Sequence, residues 1–169
     1  RLFRCPIPAA NLGACDTLEL FRNPGEPIKS DTDGVALFVG AFGPQLAFNL
    51  ELGADAGDIF LAEPMDASLL RWQARAQTNL NTPDKEDDPA FHPDGRLMIF
   101  DRAQNSGASA DLFYVTRASP ELPFSAAAKL VEGINSKATE GGPEIFVLPN
   151  KRFELYFNSD RLGTGLRLY

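Results

Sequence analysis

The chain has 169 residues, 44% of them hydrophobic and 23% charged, a balance that suits one globular domain with a substantial core. Sixteen basic residues against 23 acidic ones leave a net charge of −7, and the basic ones are scattered. That argues against a nucleic-acid partner, whose phosphates demand clustered Lys and Arg. No run of about 18 apolar residues is present, so no transmembrane helix is expected.

Taken in order, the chain opens without Met and without a basic-then-apolar leader, so a targeting segment is expected to have been removed or to lie outside this sequence. Cys5 and Cys15 come next, at a spacing that matches no usual zinc site, and His92 is the sole histidine. The pair is expected to close a short disulfide loop, which points to the periplasm, the cell surface or the outside of the cell; two buried thiols are the alternative.

A short strand then recurs along the chain, opening as Arg1-Leu2-Phe3, Asp58-Ile59-Phe60, Asp111-Leu112-Phe113 and Arg167-Leu168-Tyr169, at steps of 57, 53 and 56 residues. Turns follow a proline at Asp33-Gly34, Asp94-Gly95 and Pro149-Asn150, and each turn leads into an apolar-aromatic strand: 35–39, 97–100 and 153–157. A ten-residue window, Leu80-Asn81-Thr82 to Pro89, returns as Ile134-Asn135-Ser136 to Pro143, with Glu86 answered by Glu140. These markers agree on a period near 55, and the only window that suits a helix is 67–77.

Short strands, punctuated by turns and repeating at this interval, read as all-β: blades of four antiparallel strands in a β-propeller. The expected units are 1–24 (the end of one blade), 25–79, 80–133 and 134–169 (a partial blade). The stretch 40–57 reads as a long apolar connection or as a wider strand pair on the same blade. A closed propeller takes about four to eight blades, so about three units form an incomplete ring, completed by the rest of a longer chain or by a second copy.

Acidic residues gather before each proline-led first strand: Glu26, then Glu86, Asp87 and Asp88, then Glu140, with Glu144 just after. First strands line a propeller's channel, so these carboxylates are candidates to face it, for Ca²⁺ or for a basic partner segment. Solvated turn residues are the alternative, and no cofactor is expected. Arg102 and Arg161 take similar places after the second strand, and each is expected to pair with a nearby carboxylate or carbonyl and lock one unit to the next. Gly107-Ala108-Ser109-Ala110-Asp111 breaks the serine-hydrolase elbow at its last position, and no pair of carboxylates stands out as a glycosidase couple. The chain is therefore expected not to be an enzyme.

The stretch Asp88-Pro89-Ala90-Phe91-His92-Pro93-Asp94-Gly95-Arg96-Leu97-Met98-Ile99-Phe100 resembles the Pro-x-Phe-Ser-Pro-Asp-Gly-Lys-x-Ile-x-Phe pattern of TolB-type propeller repeats. Asn158-Ser159-Asp160-Arg161 resembles that family's Ser-x-Arg stretch, and Asp111-Leu112-Phe113-Tyr114-Val115 its third strand. The first unit departs, with Gly40-Ala41-Phe42 in place of Ser-x-Arg, and so does the third turn, Pro149-Asn150-Lys151. The resemblance implies a six-bladed ring and a non-catalytic scaffold of the bacterial envelope that binds proteins or envelope components. The alternative is the propeller domain of a carbohydrate-active enzyme or peptidase, with its catalytic residues largely outside this chain.

Overall fold

A computed structural model describes residues 3–4, 16–23, 26–29, 32–40, 43–51, 57–103, 109–126, 128–130, 133–163 and 165–169. Cys5 and Cys15 lie outside the described residues. Among those described, every regular element is a strand and no helix occurs. The short strands β1 (Phe3–Arg4) and β2 (Asp16–Thr17) pair with each other. The first large sheet holds β3 (Glu19–Asn23), β4 (Glu26–Pro27), β5 (Thr32–Gly40), β6 (Gly43–Leu50), β7 (Asp58–Pro64) and β8 (Arg71–Ala76), in the order β4-β3-β8-β7-β6-β5. The second runs β12-β11-β10-β9, from β9 (Lys85–Phe91), β10 (Leu97–Ala103), β11 (Ala110–Thr116) and β12 (Ala128–Lys129). The third is β13 (Glu140–Val147), β14 (Phe153–Ser159) and β15 (Arg167–Leu168).

Alternation along the strands decides what each face packs against. From the first sheet, Phe38, Ala47 and Ile59 point at the second, where Phe91, Met98, Phe100, Phe113 and Val115 meet them. From the other face of the second sheet, Ala90, Ile99 and Leu112 meet Ile145 and Phe157 of the third. The sheets thus stack in chain order, each with a dry face towards its neighbour.

Two details differ from the sequence expectation, and two open alternatives are resolved. Asp33-Gly34 is not a hairpin turn; it forms a bulge inside β5, and the hairpin instead joins Gly40 to Gly43. Asp-Gly readily adopts positive φ, which serves a bulge as well as a turn. Of the two readings of 40–57, the wider strand pair holds: the stretch contains the eight-residue strand β6, whose Leu46, Phe48 and Leu50 are buried. Within 67–77, read as a fourth strand over 69–76 with a short helix as the alternative, Arg71–Ala76 form the strand β8. Finally, β3, expected to end a preceding unit, joins the first sheet beside β8 in parallel, with Leu20 opposite Trp72. Gln73 holds it there, donating to the carbonyls of Phe21 (2.9 Å) and Arg22 (2.8 Å).

Candidate functional site

The inner strands β5, β9 and β13 each carry one bulge at a matching place. Pairing slips between Asp33 and Ala36, opposite Asp87 to Ala90, and between Gly141 and Glu144. Within each slip one residue takes the left-handed conformation: Gly34 (φ 52°), Asp88 (φ 44°) and Gly142 (φ 57°). They are spaced 54 and 54 residues apart, so they are the same position of the repeat. Glycine accepts this conformation freely, whereas a side chain there costs about 1–2 kcal/mol. Asp88 is the one carboxylate among the three.

Its neighbours are packed close. A Cβ on Gly34 would lie 2.7 Å from Oδ1 of Asp88, and one on Gly142 would lie 3.8 Å from Oδ2. The carboxyl therefore sits between the bulges of the first and third sheets. The Asp88 N–H donates to Oδ1 of Asp87 (3.1 Å), whose Oδ2 meets Nζ of Lys85 at 2.7 Å. That bond, opposed by partial burial and helped by Glu51 at 3.3 Å, pushes the Lys85 ammonium up to about 12.

Across the β9–β10 pair, Asp101 stands opposite Asp87. Asp101 is buried, and its Oδ2 accepts the N–H of Gly142 at 3.0 Å, tying the second sheet to the bulge of the third. Burial pushes its carboxyl up to about 7; the Gly142 N–H pulls the other way, and the charges of Asp88 and Asp87 add to the rise. The matching positions on β6 and β14 are Asn49, opposite Asp33, and Asn158, opposite Gly141. Oδ1 of Asn49 is buried without a hydrogen-bond partner.

The six carboxylates singled out from the sequence do not converge. Glu26 is exposed on β4, at the far edge of the first sheet from β5. Glu144 is exposed on β13, while Asp87 and Asp88 lie half-buried on β9. Glu86 and Glu140 are fully buried, turned away from Asp87 and Gly141 by strand alternation. Glu86 accepts the Thr82 N–H (3.1 Å) and hydroxyl (2.6 Å) and pairs with Nε of Arg102 at 2.6 Å. Glu140 repeats the arrangement with the Ser136 N–H (2.8 Å) and hydroxyl (2.7 Å), the Ser159 hydroxyl (2.7 Å) and Nη2 of Arg161 (3.2 Å). Burial pushes the Glu86 carboxyl up and prevails over its donors. For Glu140 burial is again the largest influence, but the Ser136, Ser159 and Arg161 contacts together hold it below its ordinary value.

Both arginines also reach a backbone carbonyl, Leu80 for Arg102 and Ile134 for Arg161, and lie over aromatic rings of their own sheets, Phe113 at 4.4 Å and Tyr169 at 4.9 Å. Among the described residues, no three or more His, Cys, Asp or Glu side chains gather as a metal-ligand set.

No family model matches the chain, and no curated protein matches it. Among solved structures it is similar to an endo-arabinase from Bacteroides thetaiotaomicron, with a TM-score of 0.59 at 15% identity over 83% of this chain. The chain spans 55% of that structure's length. At this identity the likeness is one of fold. It corrects the expectation of a non-enzyme: this arrangement of sheets is carried by a carbohydrate-active enzyme, so the architecture does not set the chain apart from catalytic proteins.

Proposed function

We propose that this chain is part of a β-propeller of a carbohydrate-active enzyme, and that Asp88 is its sugar-contacting carboxylate. The observation that carries the reading is the triple bulge: two of the three equivalent positions are glycine, and the third bears an acid on a left-handed backbone. Strain of this kind persists where the surroundings over-determine it, and it concentrates at functional sites. The carboxylate lies between bulges of two neighbouring sheets, where a ligand crossing the inner strands would meet it.

Asp101 supplies the complementary property. Its proton is held to about pH 7, beside Asp87 and Asp88. A carboxyl that keeps its proton near neutral pH is what the acid side of glycosidic-bond cleavage requires. Asp101 is buried, so its role here is to position and tune the site, and any further catalytic group would come from outside these residues. The fold shared with an endo-arabinase favours a polysaccharide as substrate over a peptide.

The test is Asp88→Gly, which installs the residue found at the two sister positions. Binding of arabinohexaose is measured by calorimetry, with cellohexaose as comparison and thermal melting alongside. The expected result is at least a tenfold loss of glycan affinity, with a melting temperature equal to or above that of the parent. Unchanged affinity, a parent that binds neither glycan, or a marked fall in melting temperature would overturn the assignment.

A further inference from the structure

Arg117 is 7% exposed and has no carboxylate partner among the described residues. Its Nε donates to the Gly95 carbonyl at 2.6 Å and its Nη2 to Oε1 of Gln45 at 2.8 Å. The guanidinium lies over the Phe124 ring, 4.3 Å from its centroid. Its remaining N–H groups have no acceptor among the described residues. A buried cation without a counter-charge beside it is costly to the fold. Burial pulls its proton affinity down, and the charges of Glu121 and Glu63 oppose this without touching it.

Arg117 lines a cleft of about 320 Å³ between the outer strands of the first sheet and the segment 120–123. Strand pairing builds the first wall. Glu63 stands opposite Gln73 across β7 and β8, and Nε2 of Gln45 on β6 donates to Oε1 of Glu63 at 3.1 Å. The three polar side chains thus form one row, and Arg75 follows on the same face of β8. The second wall sets Glu121 between the apolar Pro120 and Leu122. A further cavity of about 310 Å³ shares Gln45, Glu63, Pro120 and Glu121 and lengthens the cleft. The Asp88 site lies elsewhere. Asn49, opposite Asp33, is four residues along β6 from Gln45, about 13 Å away, with fully buried Ala47 between them.

We propose that this cleft is a second sugar-binding site, which holds a stretch of neutral polysaccharide away from Asp88; the inference rests on the carbohydrate reading above. The side chains favour a polyhydroxyl ligand over an ion. Two guanidiniums and two carboxylates cancel, so an anion would meet Glu63 and Glu121, and a cation would meet Arg75 and Arg117. A hydroxyl both donates and accepts, so it serves Arg117 and a carboxylate or amide at once. Pro120 and Leu122 offer apolar surface to the C–H face of a sugar ring. Such a site keeps the polymer on the protein while another stretch of it reaches Asp88, raising its effective concentration there.

The test titrates arabinohexaose into isotope-labelled wild type and Asp88→Gly, followed by the NMR signals of backbone amides and of the arginine Nε–H groups. Asp88→Gly is expected to keep saturable shifts at Gln73, Arg75, Glu121 and the Nε–H of Arg117. Adding Arg75→Ala and Glu121→Ala, at two exposed positions, is expected to weaken that binding about fivefold or more, with melting as the check on folding. Shifts near Asp88 in the wild type with none in the cleft would overturn this inference and leave the Asp88 reading standing. Shifts in the cleft with none near Asp88 would do the reverse, and no shifts anywhere would overturn both. Unchanged affinity in the rim variant would overturn the second site. So would larger shifts of the same signals with inorganic phosphate than with the glycan.

Discussion

Asp101 carries the sharpest consequence at the scale of one residue. Its folded-state value of about 7 lies above the ordinary 3.8, so the native protein keeps a proton that the unfolded chain releases. Stability therefore falls as pH rises from about 4 to about 7, by up to ~1.4 kcal/mol per pH unit, and levels off above that window. Asp101→Asn keeps an acceptor for the Gly142 N–H, removes the buried charge, and restores the residue found at Asn49 and Asn158. It is expected to raise stability at pH 8 by roughly 2–4 kcal/mol and to flatten the dependence between pH 4 and 7. Melting curves at pH 5 and 8 check this, and a variant less stable than its parent at pH 8 would refute it. Sequence reading passed Asp101 over for a definite reason: its counterparts are amides at unequal spacings, so no period marks them. In the sequence Asp88 is one acid in a run of three; what distinguishes it is its backbone conformation, which needs the strand pairing to be known.

At the scale of an element, the recurring window explains itself. Asn81 accepts the Ile59 N–H at 2.9 Å and donates to the Ile59 carbonyl at 3.0 Å, so one amide serves as a β-partner for the third strand of the preceding sheet. Asn135 does the same to Leu112, at 2.8 and 3.0 Å. Thr82 and Ser136 then fasten the buried Glu86 and Glu140, each held in turn by its arginine. The retained Asn, Thr or Ser, and Glu of 80–89 and 134–143 thus belong to a lock between successive sheets. That is why the window was legible without a structure: the lock needs the same side chains each time. Asn81→Ala leaves the N–H of fully buried Ile59 without its acceptor, and is expected to cost about 2–3 kcal/mol. Urea denaturation measures it; a loss below about 0.5 kcal/mol would mean the contact adds little. Asp33-Gly34 misled for the opposite reason, since the same dipeptide serves a bulge and a hairpin, and only the pairing of β5 with β6 separates the two.

For the whole molecule, the repeat was readable because each sheet buries the same faces, while the parallel seat of β3 beside β8 was not: no local pattern records which edge a separate strand will join. The stacking also predicts how the protein opens. The second sheet is packed on both faces, by Phe91, Phe100 and Phe113 on one side and by Ile99 and Leu112 on the other. The third is held through one face, by Ile145 and Phe157 against the second, and Phe146, Tyr156 and Leu168 on its other face are exposed. Where units touch only their neighbours, stability is close to a sum of unit and interface terms, so a unit with one interface opens more readily than one with two. Hydrogen exchange at concentrations below any self-association is therefore expected to show amides of β13 and β14 exchanging at least tenfold faster than those of β10 and β11. Equal protection of the two sheets at every concentration would mean that the stack unfolds as one unit, and that the open face of the third sheet costs the fold nothing.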